Sequence, residues 1–118
     1  NLNGGSANDA VFALTVPDTM EPFTLYGVTQ VCSTQFNTTG TPQITVTRTP
    51  SGGDEATLKA LSAWATGNTV GTSKYDDTPA VTATTNEFYP GDTLRLEKST
   101  LATTAGKVDL ILHIGGIE

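Results

Sequence analysis

The sequence predicts a single all-β domain: an antiparallel, jelly-roll-like β-sandwich of about seven to nine short strands, preceded by an extended N-terminal arm. The length of 118 residues suits one domain. Threonine occurs 23 times, and its β-branched side chain favours pleated strands. Short segments of alternating apolar and polar residues are separated by turn signals about every ten residues, which is typical of a sandwich.

Residues 1–10 (NLNGGSANDA) are predicted to form the arm, and residues 11–118 the sandwich domain. Small polar residues around Gly4-Gly5 are typical of a flexible terminus. The arm is either disordered or becomes ordered on a neighbouring subunit. The second alternative makes Leu2 and Asn3 candidate partner-binding residues.

Strands are predicted at 11–16, 23–32, 43–49, 69–75, 80–85, 93–99 and 107–115. The last strand has the clearest alternation. Its predicted core face comprises Val108, Leu110, Leu112 and Ile114, and His113 faces the other way. Gly27, inside the second strand, predicts a bulge or a close backbone approach. Residues 89–92 (YPGD) predict a turn.

Residues 54–65 (DEATLKALSAWA) fit both a short helix and an extended segment. We favour the extended segment because strands are predicted on both sides. Trp64, close to the following turn, is then either a lid over the core or an anchor at an interface.

Aromatic side chains are the other candidates for binding. Phe12 and Phe23 are expected in the core. The four aromatic residues that flank turns are Trp64, Tyr75, Phe88 and Tyr89. Either they cap the ends of the sandwich, or they form a patch that binds a partner.

The charge pattern argues against two classes of partner. The formal net charge is −6, and the six basic residues are scattered singly. Nucleic acids and anionic membranes both require clustered basic residues, so neither is expected as a partner. Cys32 is the only cysteine, which excludes an intrachain disulfide and predicts a small buried apolar residue.

We do not expect an enzyme, a cofactor or a metal site. His113 is the only histidine and no nucleophile motif surrounds it. One histidine and one cysteine cannot complete a zinc site. Calcium binding through Asp76 and Asp77 is a minor alternative, since adjacent aspartates on an extended chain point to opposite sides.

The order of segments over residues 25–115 resembles a known group of proteins. YPGDTLRLE is followed, after a turn of small residues, by the apolar strand AGKVDLILHI. This resembles the β-sandwich capsid decoration, or cement, proteins of tailed bacteriophages. The resemblance implies a structural virion protein on the capsid exterior. It implies binding to the major capsid protein and a homo-oligomer, with a trimer favoured. The alternatives are a tail or head-fibre domain and a carbohydrate-binding or adhesin module.

Overall fold

The computed structural model describes residues 10–37, 41–81, 84–100 and 105–117. Leu2, Asn3 and the rest of the predicted arm up to residue 9 lie outside this range. The sequence pattern places Ala10 in the arm, but it is the first residue of a strand. The arm boundary therefore needs a correction of one residue.

The described part of the chain contains eight strands. They are β1 (Ala10–Thr15), β2 (Phe23–Asn37), β3 (Gln43–Thr49), β4 (Ala56–Ala60), β5 (Ser73–Asp77), β6 (Glu87–Phe88), β7 (Thr93–Thr100) and β8 (Ala105–Gly116). The strands form two antiparallel sheets that pack into a β-sandwich. The prediction of an all-β sandwich is confirmed, whereas its jelly-roll refinement is not confirmed by this strand order.

The first sheet has the order β1-β7-β3-β4. Leu94 and Leu96 of β7 lie opposite Leu14 and Phe12 of β1. The alternating pattern of β3 works as the sequence predicts, since Ile44 is fully buried on the core side. Leu94 and Leu96 of β7 and Ile44 of β3 are buried on the side that faces the second sheet, because side chains alternate with a period of two.

The second sheet is built around the long strand β2. β8 pairs with β2 along nearly its whole length. The other edge of β2 is occupied by β6 at Phe23 and Thr24, and by β5 from Gly27 to Val31. Backbone hydrogen bonds from the segment 67–72 to Cys32 and Phe36 continue along that edge. β8 is therefore the outermost strand of the second sheet among the described residues.

The core between the sheets is apolar and contains one buried amide. The fully buried side chains include Trp64, Phe36, Phe88, Leu25, Ile44, Leu61, Leu94, Leu96, Gln30, Val16 and Val28. The indole N–H of Trp64 donates to Gln30 Oε1 at 2.9 Å, and Gln30 Nε2 donates to the Ser62 carbonyl oxygen at 3.1 Å. Gln30 is thus satisfied inside the core, as a buried polar group requires.

Most of the predicted strands are present, although the strand predicted at 69–75 runs over Ser73–Asp77. The ambiguous segment 54–65 is extended, with β4 at its centre. β2 runs five residues beyond the predicted end at Cys32, because Thr34 and Asn37 continue the pairing with β8 and Phe36 is buried in the core. The predicted strand 80–85 is replaced by an isolated bridge between Val81 and Thr84; residues 82 and 83 lie outside the described part.

Two expected core residues are more exposed than predicted. Phe12 is 36% exposed and Ile114 is 50% exposed. Phe12 lies on β1 and Ile114 on β8, each at one edge of its sheet, so no strand in the described ranges covers them on that side. Cys32, in contrast, is buried as predicted, and burial raises the pKa of its thiol.

Candidate binding face

Two of the four aromatic candidates are buried. Trp64 stacks on Phe36 with ring centroids 5.0 Å apart, and Phe88 stacks on Phe23 at 5.3 Å. Both Trp64 and Phe88 are fully inaccessible to solvent. The structure therefore contradicts their assignment as partner-binding residues and supports the alternative that they cap the core.

Tyr75, by contrast, is 53% exposed and lies on the outer face of the second sheet. Its ring lies over Gly27 of the neighbouring strand, with Cε1 only 2.6 Å from the position that a Cβ on Gly27 would take. Any other residue at position 27 would collide with the ring. The interior glycine therefore marks both a bulge between Leu25 and Gly27 and a close approach, as predicted.

The imidazole ring of His113 also contacts the Tyr75 ring. The two rings meet edge to face, with centroids 5.3 Å apart. His113 Nε2 also lies 2.8 Å from Thr29 Oγ1. A hydrogen bond to the Asp77 carboxylate raises the pKa of Tyr75. The Tyr75 ring is thus held by Gly27 beneath it, by His113 at its side and by Asp77 at its hydroxyl.

Tyr26 repeats this arrangement one strand away. It is the extra residue at the β2 bulge and is 52% exposed. Its ring lies over Gly115 of β8, with Cε2 2.7 Å from the position that a Cβ on this glycine would take. Tyr26 is not among the candidates that the sequence predicts. The available signal was the pair of glycines, since Gly27 follows the tyrosine and Gly115 lies in the partner strand.

Ile111 completes an apolar surface beside these rings. It is 50% exposed and lies opposite Thr29, on the same face as Tyr75. We call the surface formed by Tyr26, Tyr75, Ile111 and His113 the tyrosine face. It combines apolar area with hydroxyl and imidazole groups, which is the composition of protein contact surfaces.

Tyr89, the fourth aromatic candidate, is 43% exposed. It follows β6, and its hydroxyl donates to Glu87 Oε1 at 3.2 Å. Partial burial, and then the neighbouring Glu87 carboxylate, raise the pKa of Tyr89. Glu87 is paired with Thr24 of β2, so Tyr89 lies at the β6 end of the second sheet and not among the rings of the tyrosine face.

The turn that carries Tyr89 is anchored by Asp92. Asp92 Oδ2 accepts from the Tyr89 backbone N–H at 2.9 Å and from Arg48 Nη2 at 2.6 Å. Asp92 Oδ1 accepts from the Ser51 backbone N–H. Arg48 also lies over the Phe88 ring. This nearly buried ion pair ties the predicted 89–92 turn to β3 and to the 50–53 loop.

Of the two carboxylates that suggested calcium, Asp76 has structural partners. It accepts hydrogen bonds from both the backbone N–H and the hydroxyl of Ser62. No group of three or more His, Cys, Asp or Glu side chains in the described part of the chain is arranged to hold a metal ion. In the same ranges no helix is long and apolar enough to cross a membrane.

Neither the protein-family models, nor the curated proteins, nor the solved structures contain a match to this chain. The class of the protein is therefore defined by its own structure: an all-β protein with two packed antiparallel sheets and an exposed aromatic surface on one of them.

Proposed function

We propose that this chain is a structural assembly protein that binds the outer surface of a bacteriophage capsid and stabilises the head lattice. The observation that carries the proposal is the tyrosine face. Two half-exposed tyrosines are held on glycines at the outer face of a sheet, where neither contributes to the core. The resemblance of YPGDTLRLE and AGKVDLILHI to decoration proteins supports the same role.

The tyrosine face is suited to binding a partner through a broad contact surface. Tyrosine supplies a large contact area at low conformational cost, and here the Tyr75 ring is already held by Gly27 and His113. Little entropy is therefore lost when a partner covers it. Many identical contacts on a lattice then give avidity without a deep pocket. A net charge of −6 helps to keep the free protein soluble.

Co-sedimentation tests this function. The full chain is mixed with capsids, lacking this chain, of the phage that encodes it, and the bound fraction is measured against chain concentration. Wild-type protein is expected to bind saturably. Tyr75→Ala should bind at least tenfold more weakly, which corresponds to a loss of about 1.4 kcal/mol in binding free energy. Val70→Ala is the matched control, since Val70 is 66% exposed but lies in the turn before β5. Absence of saturable binding by wild-type protein would refute the role.

A carbohydrate-binding module is the second candidate, and one observation favours it. Tyr26 and Tyr75 present exposed rings on the same outer sheet surface, and sugar rings stack their C–H groups on such aromatic faces. A glycan array separates the two candidates. Glycan binding that is lost in both Tyr26→Ala and Tyr75→Ala, without capsid binding, would favour the second candidate.

A further inference from the structure

The outer edge of β8 has no strand partner among the described residues. We infer that β8 pairs antiparallel with β8 of a second copy of this chain, about a two-fold axis that passes beside Ile111. The pairing joins the second sheets of two copies into one continuous sheet. It deepens the proposed function by naming the contact between subunits, but it does not require a capsid.

The edge is long and unpaired among the described residues. β8 spans Ala105–Gly116. Its one described strand partner, β2, has its opposite edge filled by β5, β6 and the segment 67–72. The outer edge of β8 therefore presents a row of backbone N–H and C=O groups. Such an edge is a ready template for another strand unless short length, proline or inward charge blocks it, and β8 contains no proline.

The pattern of apolar and polar residues in β8 is symmetric about Ile111 over residues 108–114. A two-fold axis there places Leu110 opposite Leu112 of the second copy, and Val108 opposite Ile114. It also places Asp109 opposite His113, both of which are on the outer face and exposed. An antiparallel two-fold pair always sets outer-face residues against outer-face residues. Every apolar position in this register therefore meets an apolar one, and the acidic position meets the basic one.

Neighbouring registers are less favourable. An axis beside Leu110 sets Lys107 opposite His113, which leaves Asp109 facing Ile111. An axis beside Leu112 sets Asp109 opposite Gly115. Both neighbouring registers set Ile111 against a polar residue, Asp109 in the first and His113 in the second. Of the three registers, only the one centred on Ile111 sets apolar residues against apolar ones on both faces of the strand.

Exposed apolar side chains on β8 favour association with a second copy. Ile111 and Ile114 are each 50% exposed, and Leu110 and Leu112 are only partly buried. These side chains lie on the strand that a second copy would cover. Pairing sets these side chains against those of the second copy and buries part of their exposed apolar surface, and such burial is the main driving force of association.

The inferred symmetry differs from the trimer that the resemblance implies, so molecular mass decides between them. The mass of the full wild-type chain in solution is measured by analytical ultracentrifugation over a range of concentrations. A species of twice the 12.3 kDa chain mass is expected. Only monomer at the highest concentration, or a species of three times that mass, overturns the inference. Because no capsid is present, this outcome is independent of the test of capsid binding.

Two substitutions at the axis make the test specific to the register. Ile111→Lys sets two lysines against each other, and we expect at least a tenfold loss of dimer affinity. Val70→Lys is the matched control, since Val70 is also exposed but lies in the turn before β5, and it should leave the affinity unchanged. Ile111→Cys sets two cysteines directly opposite each other, with Cβ atoms about 4.5–5.5 Å apart, close to the roughly 3.5–4.5 Å that a disulfide needs. Mild oxidation should crosslink this variant far faster than Val70→Cys. Equal crosslinking of the two variants, or an Ile111→Lys dimer as stable as wild type, overturns the inference.

Discussion

The Tyr75 ring lies over Gly27 of the adjacent strand and meets the edge of His113 beyond it. This places a β5 side chain across β2 as far as β8. The glycine is what allows the ring to lie flat against the sheet. The exposed aromatic surface is therefore determined by the absence of a side chain as much as by the tyrosine itself.

Gly27→Ala tests this relationship. The new methyl group would displace the Tyr75 ring, and we expect capsid binding to fall as far as in Tyr75→Ala. The fold should survive, with a stability change of about 1 kcal/mol or less, because the ring can swing into solvent. The measurements are capsid co-sedimentation and urea unfolding.

The double variant Gly27→Ala/Tyr75→Ala provides the control. If both changes act through the same ring, their effects on binding should not add. Additive losses in binding, or full binding by Gly27→Ala, would show that Gly27 does not act on binding through the Tyr75 ring.

Gln30 and Trp64 form the buried polar link of the core. Gln30→Leu leaves the indole N–H unpaired inside the core, and we expect a loss of about 1–3 kcal/mol in the free energy of unfolding. Trp64→Phe leaves Gln30 Oε1 unpaired and should cost a similar amount plus a cavity. The double variant Gln30→Leu/Trp64→Phe should lose less than the sum of the two. Urea unfolding of all four proteins measures the coupling, and strict additivity would show that the hydrogen bond contributes nothing.

Asp92→Ala is expected to destabilise the fold by about 3–5 kcal/mol, because it leaves a buried guanidinium without its partner. Only 11% of the Arg48 side chain and 7% of the Asp92 side chain are exposed. Arg95→Met is the comparison: in this pair the Arg95 side chain is 35% exposed and the Glu97 side chain 12%. That change should cost less than Asp92→Ala, because water screens a pair in which one partner is partly exposed. Thermal unfolding that ranks the two variants in the opposite order would contradict this assignment.

Glu97 predicts a pH dependence of stability. Burial, and then repulsion from Glu55, raise the pKa of Glu97 above its ordinary value of 4.5, although Arg95 opposes the shift. The folded state therefore holds the proton more tightly than the unfolded state, and stability is lost as pH rises through this pKa. We expect Glu97→Gln to be more stable than wild type at pH 7. The difference should shrink as pH falls below about 4.5, where both states are protonated. Urea unfolding across pH 3–7 checks the sign, and a wild type more stable than the variant at pH 7 would contradict it.

Much of the fold follows from local patterns in the sequence. The alternation in residues 43–49 and 93–99 predicted β3 and β7 closely, because their apolar positions all face one core. The sequence left the secondary structure of residues 54–65 ambiguous because the local pattern fits both a helix and an extended segment. In the structure this segment is extended because β4 pairs with β3. Sequence alone could not place Phe12 and Ile114 on outermost strands, since that depends on the order of strands within each sheet.

The binding face was predicted less well for the same reason. Proximity to turns suggested Trp64 and Phe88, but sheet packing buries both against aromatic partners. Tyr26 was missed because a strand with apolar residues on both sides hides which side faces water. Tyr26 is the extra residue of the bulge between Leu25 and Gly27, and a bulge cannot be located from periodicity alone.

An electron cryomicroscopy reconstruction of capsids saturated with the chain tests the central claim most directly. It shows which face of the sandwich lies against the lattice. We predict that the outer face of the second sheet contacts the capsid, with Tyr26 and Tyr75 at the contact. Bound molecules that turn both tyrosines to solvent and contact the capsid through the first sheet would contradict it.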